Sequence, residues 1–343
     1  MVSKAILFGY GHHGRNRLFK ALLNLPQVAE ILVCDINPAA TADLPTEVNG
    51  KAIRKTENIT EAVKHVSAET FVVVATTTRD RVKIINEVAV RGCAYLYIEK
   101  PLARSMQETD EIIQIINEHK IKAAAGFYND YLTIVKQLPE LVAEYQLGEM
   151  LRISSLGGAV GFGTNGVHII DLANLVFRSK PIEVIGRIDS EIKNPRGEDY
   201  GLHDGIAYVV YENGGKLLLN YDNRSAVSHT ITFYFEYGYI EANYDAEFIR
   251  IFGFNSPAKD RPKYRYDTPS ELGRINNNNN ISDFFVNIFN NLLNGHGHFC
   301  DMTRARSAME VLLGIFASND LNQPLKLPLA KDNRCYDKKY SIT

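Results

Sequence analysis

The sequence predicts an α/β protein in which a doubly wound parallel sheet is followed by a second α/β region with a large, mostly antiparallel open sheet. Three observations predict this fold. Up to about residue 125, short apolar runs alternate with helical patterns, as in a parallel sheet built from β-α-β units. A glycine-rich turn directly follows the first apolar run. Beyond residue 126, strands of alternating apolar and polar residues follow one another, which is typical of an antiparallel sheet with one covered face.

The composition limits the classes of function. The chain has 343 residues, long enough for two domains, and its hydrophobic and charged fractions, 45% and 23%, are those of a globular protein. Its formal net charge of -2 favours neither nucleic acid nor an anionic membrane as a partner. The four cysteines have no CxxC spacing, and no run is apolar enough to span a bilayer. Because no targeting segment precedes the first strand, we expect a cytoplasmic location.

The first apolar run leads into the segment Gly9-Tyr10-Gly11-His12-His13-Gly14. A helical pattern follows, so this GxGxxG motif lies between a strand and a helix, as in Rossmann dinucleotide-binding domains. Gly9 would permit the turn, Gly11 would let a pyrophosphate approach the backbone, and Gly14 would allow the helix to pack closely on the strand. His12 and His13 lie in the same turn, whose free N–H groups would face the anion. We predict that this segment binds the cofactor.

The next predicted strand, at residues 30–34, ends at Asp35. A carboxylate at this point would accept hydrogen bonds from the adenosine ribose of a dinucleotide. The same carboxylate would repel a 2′-phosphate, which favours NAD over NADP as the cofactor. Alternatively, Asp35 is only a turn residue before Asn37 and Pro38.

Two further apolar strands end in polar residues. The run at 71–75 leads into Thr76-Thr77-Thr78, whose hydroxyls line the cofactor cleft or cap the next helix. The run at 95–98 leads into Glu99-Lys100-Pro101, where the proline ends the strand and the X-Pro bond can be cis. Ligands of open α/β sheets lie outside the carboxyl ends of the strands, so we predict that Thr76, Thr77, Glu99 and Lys100 contact the cofactor. The alternative for Lys100 is a solvated loop residue.

A histidine lies at the start of a helix in the second part of the chain. Glycine-rich sequence gives way to an apolar helix over about 167–177, with His168 in its first turn. Asp171 lies three residues later on the same side, so it could orient the imidazole. Alternatively, His168 is a structural residue of the helix. His296 and His298 have no acidic or thiol companion at a metal-ligand spacing, so we predict no metal site.

Aromatic residues are concentrated in two neighbouring strands predicted between residues 231 and 243. If Phe233, Phe235, Tyr237 and Tyr239 lie on the exposed face of the open sheet, that face would be a natural contact between subunits. We therefore predict a homo-oligomer, either a dimer or a tetramer. Alternatively, these aromatic side chains pack beneath helices of their own domain.

Together these motifs resemble those of the glucose–fructose oxidoreductase and inositol dehydrogenase family, called Gfo/Idh/MocA. The resemblance spans nearly the whole chain. It rests on the glycine turn at 9–14, on Glu99-Lys100-Pro101, on Gly126-Phe127-Tyr128 and on Gly166-Val167-His168-Ile169-Ile170-Asp171. It implies a dinucleotide-binding Rossmann domain over residues 1–126 and a domain for substrate binding and oligomerisation over residues 127–343.

The resemblance also implies an activity and a site. Members of this family mostly oxidise a hydroxyl of a sugar or cyclitol, or reduce the corresponding carbonyl, with a nicotinamide cofactor. By this resemblance Lys100 and His168 are catalytic, and they contact the substrate together with Tyr128, Thr164 and Asn165. Many members carry an aspartate where this chain has Thr164. This departure removes a carboxylate from the site and puts in doubt any substrate analogy with inositol dehydrogenase.

We therefore predict an NAD-dependent oxidoreductase that transfers a hydride between the cofactor and a hydroxyl or carbonyl of a sugar, cyclitol or nucleotide-sugar. A general base must take the hydroxyl proton, and Lys100 and His168 are the candidates. A desolvated lysine beside a cationic nicotinamide would have a lowered pKa, which suits this role. Three alternatives stay open: a glycosidase that oxidises its sugar transiently, a reductase of imines or conjugated carbonyls, and a non-catalytic regulator that senses the cofactor.

Overall fold

The computed structural model describes residues 2–158, 160–194, 197–243, 248–254 and 268–342. Its first sheet contains seven strands in the spatial order β3-β4-β2-β1-β5-β6-β7, and every neighbouring pair is parallel except β3 with β4. The strands are β1 (Lys4–Phe8), β2 (Glu30–Cys34), β3 (Glu47–Val48), β4 (Lys51–Thr56), β5 (Thr70–Val74), β6 (Tyr95–Ile98) and β7 (Lys122–Ala125). The strand order reverses between β1 and β5, and ligands of such sheets bind at this point.

Helices cover both sheets. They are α1 (Lys20–Leu23), α2 (Ile59–Val63), α3 (Arg81–Ala89), α4 (Met106–Glu118), α5 (Thr133–Glu144), α6 (Val167–Phe177), α7 (Ile281–Asn294) and α8 (Met302–Leu321). Side chains cap several of them at the expected places: Ser105 Oγ accepts from the N–H of Glu108 at 3.1 Å, and Asp301 Oδ1 accepts from that of Arg304 at 2.8 Å. Such caps explain why these two helices begin where they do.

The second sheet contains nine strands in the order β15-β14-β13-β12-β8-β11-β10-β9-β16. Every pair is antiparallel except β8 with β11, so the predicted fold class is confirmed. The strands are β8 (Met150–Gly157), β9 (Pro181–Asn194), β10 (Gly197–Tyr211), β11 (Lys216–Tyr221), β12 (Thr230–Phe235), β13 (Gly238–Asn243), β14 (Phe248–Gly253), β15 (Ser270–Asn276) and β16 (Leu325–Lys326).

The prediction that aromatic side chains cover the open face of the second sheet is wrong for its two phenylalanines. Phe233 and Phe235 are 0% and 6% exposed, because they lie on the covered face and join the hydrophobic core. Tyr234, which alternates with them on β12, is 39% exposed and pairs with Tyr239 of β13 on the open face. The open face therefore carries tyrosines in place of the phenylalanines.

The two sheets share helices, although they come from different parts of the chain. Helix α7 packs against β6 and β7 of the first sheet, and α8 contacts α4 and β7 on one side and α6 and β9 on the other. A backbone bridge joins Ala125 at the end of β7 to Cys300 just before α8. The division of the chain at residue 126 stays a prediction. No helix in the described ranges is long and apolar enough to cross a membrane.

Candidate active site

A cavity of about 470 Å³ lies at the carboxyl ends of β1, β5 and β6. Its lining comes from both parts of the chain. Most of the predicted site residues belong to that lining: Gly11, His12, His13, Gly14, Thr76, Thr77, Glu99, Lys100, Tyr128, Thr164, Asn165 and His168. Gly9 and Asp35 do not line the cavity. Gly9 lies in the glycine turn, and Asp35 lies directly after the end of β2.

The glycine turn has the geometry that the motif predicts. Gly9 has a φ of +93°, which L-residues rarely adopt, and a Cβ there would lie 2.7 Å from the carbonyl carbon of Ala75. A Cβ on Gly14 would lie 2.3 Å from the carbonyl oxygen of Gly9, so only glycine allows this close approach. A Cβ on Gly11 would meet no atom within 4 Å, which leaves open space above the backbone. The turn therefore fits a pyrophosphate against Gly11.

Asp35 holds the glycine turn to the end of β2. Its Oδ2 accepts from the N–H of Tyr10 at 2.6 Å, and its Oδ1 accepts from that of Asn37 at 2.9 Å. The two roles that the sequence left open are therefore compatible, since a carboxylate accepts several hydrogen bonds and can also receive the ribose hydroxyls.

Glu99 is a buried carboxylate at the centre of the site. Its Oε1 lies 3.0 Å from His13 Nε2 and accepts from the hydroxyl of Tyr97 at 2.6 Å, while Oε2 accepts from the N–H of Lys100 at 3.1 Å. Burial alone would raise the pKa of Glu99, but His13, Lys100 and Tyr97 outweigh it and lower the pKa to about 2. Glu99 thus stays ionised and joins the glycine turn to the segment that carries Lys100.

Arg81 is a buried residue of the site that the sequence did not single out. It is 2% exposed, although it opens helix α3. Its Nε donates to the carbonyl of Thr76 at 3.0 Å, and its Nη1 donates to the carbonyls of Glu99 and Pro101. One guanidinium therefore joins the loops after β5 and β6. No sequence pattern pointed to this role, because the partners are backbone carbonyls.

Lys100 reaches from the first sheet to the second region. The peptide bond between Lys100 and Pro101 is cis. The Nζ of Lys100 donates a hydrogen bond to the carbonyl of Thr164 at 2.6 Å. Thr164 lies in the helical turn Phe162–Gly166, which precedes α6. Lys100 is thus held across the cavity and is not a solvated loop residue.

His168 is buried in the first turn of α6, with a residual exposure of 7%. The ring centroid lies 4.8 Å from that of Tyr128 and 5.7 Å from that of Phe127. Nδ1 is buried and has no hydrogen-bond partner among the described residues, which leaves Nε2 as the ring nitrogen for a ligand. Burial, followed by repulsion from Lys100, holds the pKa of His168 well below its usual range. The imidazole is therefore neutral at pH 7.

Asp171 does not orient His168, so this prediction is wrong. Asp171 is fully buried, and its Oδ1 accepts from Arg304 Nε at 2.8 Å, while Oδ2 accepts from Asn129 Nδ2 at 2.8 Å. The same Asn129 Nδ2 donates to the carbonyl of His168 at 2.7 Å. A full positive charge from α8 is the stronger partner for a buried carboxylate. Asp171 and Asn129 hold the start of α6 in place, whereas the ring of His168 is positioned by packing against neighbouring aromatic rings.

The threonines in and near the site differ in their hydrogen bonds. Thr76 and Thr77 line the cavity, and neither caps a helix through its side chain. Thr76 Oγ1 is buried without a hydrogen-bond partner in the described part of the chain, so a ligand can supply one. Thr78 instead donates to the carbonyl of Ile342 at 2.8 Å, away from the cavity. Thr164 Oγ1 bonds with the backbone of Gly161 at 3.2 Å, which occupies part of its hydrogen-bonding capacity.

No group of three or more His, Cys, Asp or Glu side chains within the described ranges is arranged to hold a metal ion.

Comparison with known families agrees with this geometry. Residues 4–127 match the family described as GFO_IDH_MocA, the oxidoreductase family with an NAD-binding Rossmann fold. Residues 4–127 belong to the Gfo/Idh/MocA family of oxidoreductases. The chain is also 22% identical over 170 residues to the uncharacterized oxidoreductase YrbE of Bacillus subtilis (strain 168). That match covers 45% of this chain and 48% of YrbE, so the chain spans about half the length of the curated relative that it matches.

Solved structures share the fold over nearly the whole chain. Levoglucosan dehydrogenase in complex with NADH and levoglucosan is 13% identical, with a TM-score of 0.75 over 96% of this chain and 100% of that one. UDP-N-acetylglucosamine 3-dehydrogenase GnnA from Acidithiobacillus ferrooxidans is 16% identical, with a TM-score of 0.70 over 94% and 98%. At these identities the similarity shows the fold alone. The chain thus matches the family's NAD-binding Rossmann domain over residues 4–127, and it shares its fold with these solved structures over nearly its whole length.

Proposed function

We propose that this protein transfers a hydride reversibly between NAD(H) and a secondary alcohol or carbonyl of a sugar-like substrate. One observation carries the proposal: Lys100 and His168, from different parts of the chain, line the same cavity as the glycine turn. An alcohol dehydrogenase needs a cofactor site and proton-handling groups at one point. The non-catalytic alternative requires neither side chain at the cavity.

The residues present fit a bound dinucleotide. Gly11 and the turn around it would hold the pyrophosphate, Asp35 would hold the adenosine ribose, and Thr76 Oγ1 would gain the hydrogen bond that it lacks among the described residues. A bound nicotinamide ring supplies the hydride chemistry. The protein's own task is to position the substrate and to move its proton.

His168 is suited to take the substrate's hydroxyl proton. Its neutral imidazole is a base at pH 7, and the burial of Nδ1 leaves Nε2 to receive the proton. Lys100, held by the carbonyl of Thr164, can donate a hydrogen bond to the same substrate oxygen or take the proton directly. Its link to Thr164 keeps the lysine beside the turn that begins at Phe162 and leads into His168.

A sugar-like substrate is supported by the polar groups at the cavity wall. Tyr128 and Asn165 line the cavity, and they can bind hydroxyl groups without titrating near pH 7. The similar dehydrogenases described above act, by their names, on levoglucosan and on a nucleotide-sugar. A panel of sugars, cyclitols and nucleotide-sugars, incubated with NAD and followed by nicotinamide absorbance, tests the proposal. Reduction of NAD by none of them, and oxidation of NADH by none of the corresponding ketones, would contradict it.

We predict a preference for NADH over NADPH. The reason is the carboxylate of Asp35, which lies at the end of β2 beside the glycine turn and would repel a 2′-phosphate. Fluorescence titration of the protein with both cofactors measures the preference, and Asp35→Ser should narrow it. Asp35→Asn removes the same charge but keeps one acceptor for the N–H groups of Tyr10 and Asn37, so it helps to separate loss of the charge from loss of the turn's support. Tighter binding of NADPH by the unmodified protein would contradict the prediction.

We also predict that the open face of the second sheet joins subunits into a homo-oligomer. Ile206, Leu156 and Tyr234 lie on this face and are 47%, 44% and 39% exposed. Exposed apolar groups on one sheet face are typical of an interface. Light scattering at micromolar concentration should give a mass above that of one chain, and the double variant Leu156→Lys with Ile206→Lys should reduce it to one chain. Val90→Lys, at a 61% exposed site directly after α3, is the matched control and should leave the mass unchanged. A protein that is monomeric at all concentrations contradicts the prediction.

A further inference from the structure

Arg17 differs from the other charged residues of the cavity in its partners. It lies in the helical segment Gly14–Phe19, just beyond the glycine turn, and it lines the cavity. Its Nη1 donates to Ser282 Oγ, 2.8 Å away in the first turn of α7. No carboxylate oxygen of the described residues lies within 4.0 Å of its guanidinium. Since a guanidinium has five N–H donors, several remain for a ligand.

The charges around Arg17 favour an anion. Among the described residues that line the cavity, Glu99 is the single carboxylate, and both of its oxygens are already bound. Lys100 and Arg81 carry further positive charge at the same wall. Asp283, the acidic residue in the first turn of α7, accepts a hydrogen bond from Asn280 Nδ2 at 2.6 Å. The cavity therefore has an excess of positive charge, part of which the pyrophosphate of a bound dinucleotide would balance and the rest of which favours a further anion.

Arg17 lies near the residues that would contact the substrate. Arg17 and Tyr128 line the same cavity; burial, followed by Glu99, raises the pKa of Tyr128 to about 12, and the charge of Arg17 acts against this rise. The ring of Tyr128 in turn packs on His168 at 4.8 Å between centroids. A group held by Arg17 would therefore lie in the same cavity as His168 and Lys100.

We propose that Arg17 binds an oxyanion of the substrate, so that the protein acts on sugar-like molecules carrying a carboxylate or a phosphate. This inference rests on the proposed function. A planar guanidinium can hold either group through two parallel hydrogen bonds. The N-terminus of α7, whose first residue Ile281 lines the cavity, favours the same charge through the helix dipole.

The test compares related sugars that differ in charge. Calorimetry measures the binding of D-glucose, D-glucuronate and D-glucose 6-phosphate, and of D-galactose and D-galacturonate, to the protein–NADH complex. We expect an anionic member to bind about tenfold to a hundredfold more tightly than its neutral relative, the usual effect of a charge-assisted hydrogen bond. The carboxylate and phosphate arms distinguish the two sources of the anion. Arg17→Gln should remove the preference, and Lys20→Gln, an exposed change on the adjoining helix, should keep it.

Several results would overturn the inference. One is that the neutral sugars bind as tightly as their anionic relatives, and another is that no anionic sugar binds. A third is that Arg17→Gln weakens NADH binding and leaves sugar binding unchanged, which would assign the guanidinium to the cofactor. Melting temperature and NADH affinity, measured on the same preparations, show whether the variant is folded.

The proposed function fails through a different result. An anionic sugar could bind through Arg17 and yet be neither oxidised with NAD nor formed from its ketone with NADH. That result would contradict the proposed hydride transfer and support the anion site. If a neutral sugar is oxidised with NAD, and its anionic relatives bind no more tightly than it does, hydride transfer is supported and the anion site is contradicted.

Discussion

Lys100→Met is expected to lower turnover by about a hundredfold or more, the range that a general acid or base contributes. The change removes the ammonium group that lies at the cavity and donates to the carbonyl of Thr164 at 2.6 Å. The affinity for NADH should change far less, because in the proposed cofactor site Gly9, Gly11 and Asp35 would hold most of the dinucleotide. Steady-state rates and NADH titrations on the same preparation measure the two effects separately.

Lys100→Arg is the matched control for this prediction. It keeps a positive charge and a donor at the same place, so it should retain the fold, while its guanidinium cannot give up a proton near neutral pH. If Lys100 exchanges a proton, Lys100→Arg should be nearly as slow as Lys100→Met. If Lys100 only polarises the substrate oxygen, the arginine variant should keep much of the rate. Near-normal turnover of Lys100→Met would remove the foundation of the proposed mechanism.

His168→Asn is expected to lower turnover by about a hundredfold, because the asparagine cannot accept the hydroxyl proton. The loss could be smaller than that of Lys100→Met if the lysine takes the proton directly. His203→Asn is the matched control, since His203 is also 7% exposed and packs on Phe316 outside the cavity. Both variants should lower the melting temperature, and only His168→Asn should lower turnover per folded molecule. Equal turnover in the two variants would make His168 a structural residue.

The pH dependence of kcat/KM offers a second measure of His168. Burial and Lys100 depress its pKa, so the neutral base is fully present above that lowered value and is lost only as the pH falls through it. The acid limb of the profile should therefore lie below pH 6.5, the ordinary value for a histidine, and it should disappear in His168→Asn. An acid limb at or above pH 6.5 would contradict the assignment.

The first sheet can be predicted from sequence because its central strands are buried on both faces. Strand β5, Thr70–Val74, has five buried residues in a row and is recognised as a continuous apolar run. Strand β4, Lys51–Thr56, is not predicted, because it lies next to the edge strand β3 and has charged residues on both sides of its short apolar pair, Ala52 and Ile53. The sequence predicts strands over residues 182–188 and 206–211. In the structure β9 continues to Asn194 and β10 already begins at Gly197, because these added parts lack a strong apolar pattern.

The face to which each side chain of β12 points can be predicted from the alternation of apolar and polar residues along the strand. In β12 the apolar Ile231, Phe233 and Phe235 alternate with Thr232 and Tyr234, and the more apolar set is buried. The sequence contained this signal, because side chains point to opposite faces with a period of two. The four residues predicted together, Phe233, Phe235, Tyr237 and Tyr239, keep the same period of two across the turn between β12 and β13. That turn breaks the period, so Tyr239 pairs with Tyr234 and lies on the opposite face from the two phenylalanines.

The contacts that hold the candidate site could not be predicted because they join residues far apart in the chain. Asp171 lies on the same side of the helix as His168, but its partner Arg304 is 133 residues away and brings a full charge. Arg81 binds backbone carbonyls, which leave no sequence signal. The motif positions of the first sheet were predictable, since the glycine turn, Thr76-Thr77 and Glu99-Lys100 each follow a strand end at the same edge of one parallel sheet.

The measurement that tests the central claim most directly is the fate of the hydrogen on the reacting carbon. The best substrate from the panel, labelled with deuterium at that carbon, is incubated with the protein and NAD, and the products are analysed by mass spectrometry. Direct hydride transfer predicts one deuterium on the nicotinamide ring of NADH and none exchanged with water. Turnover that releases product, accumulates no deuterated NADH and leaves the label on the sugar would contradict the account, because it would identify transient oxidation by a glycosidase.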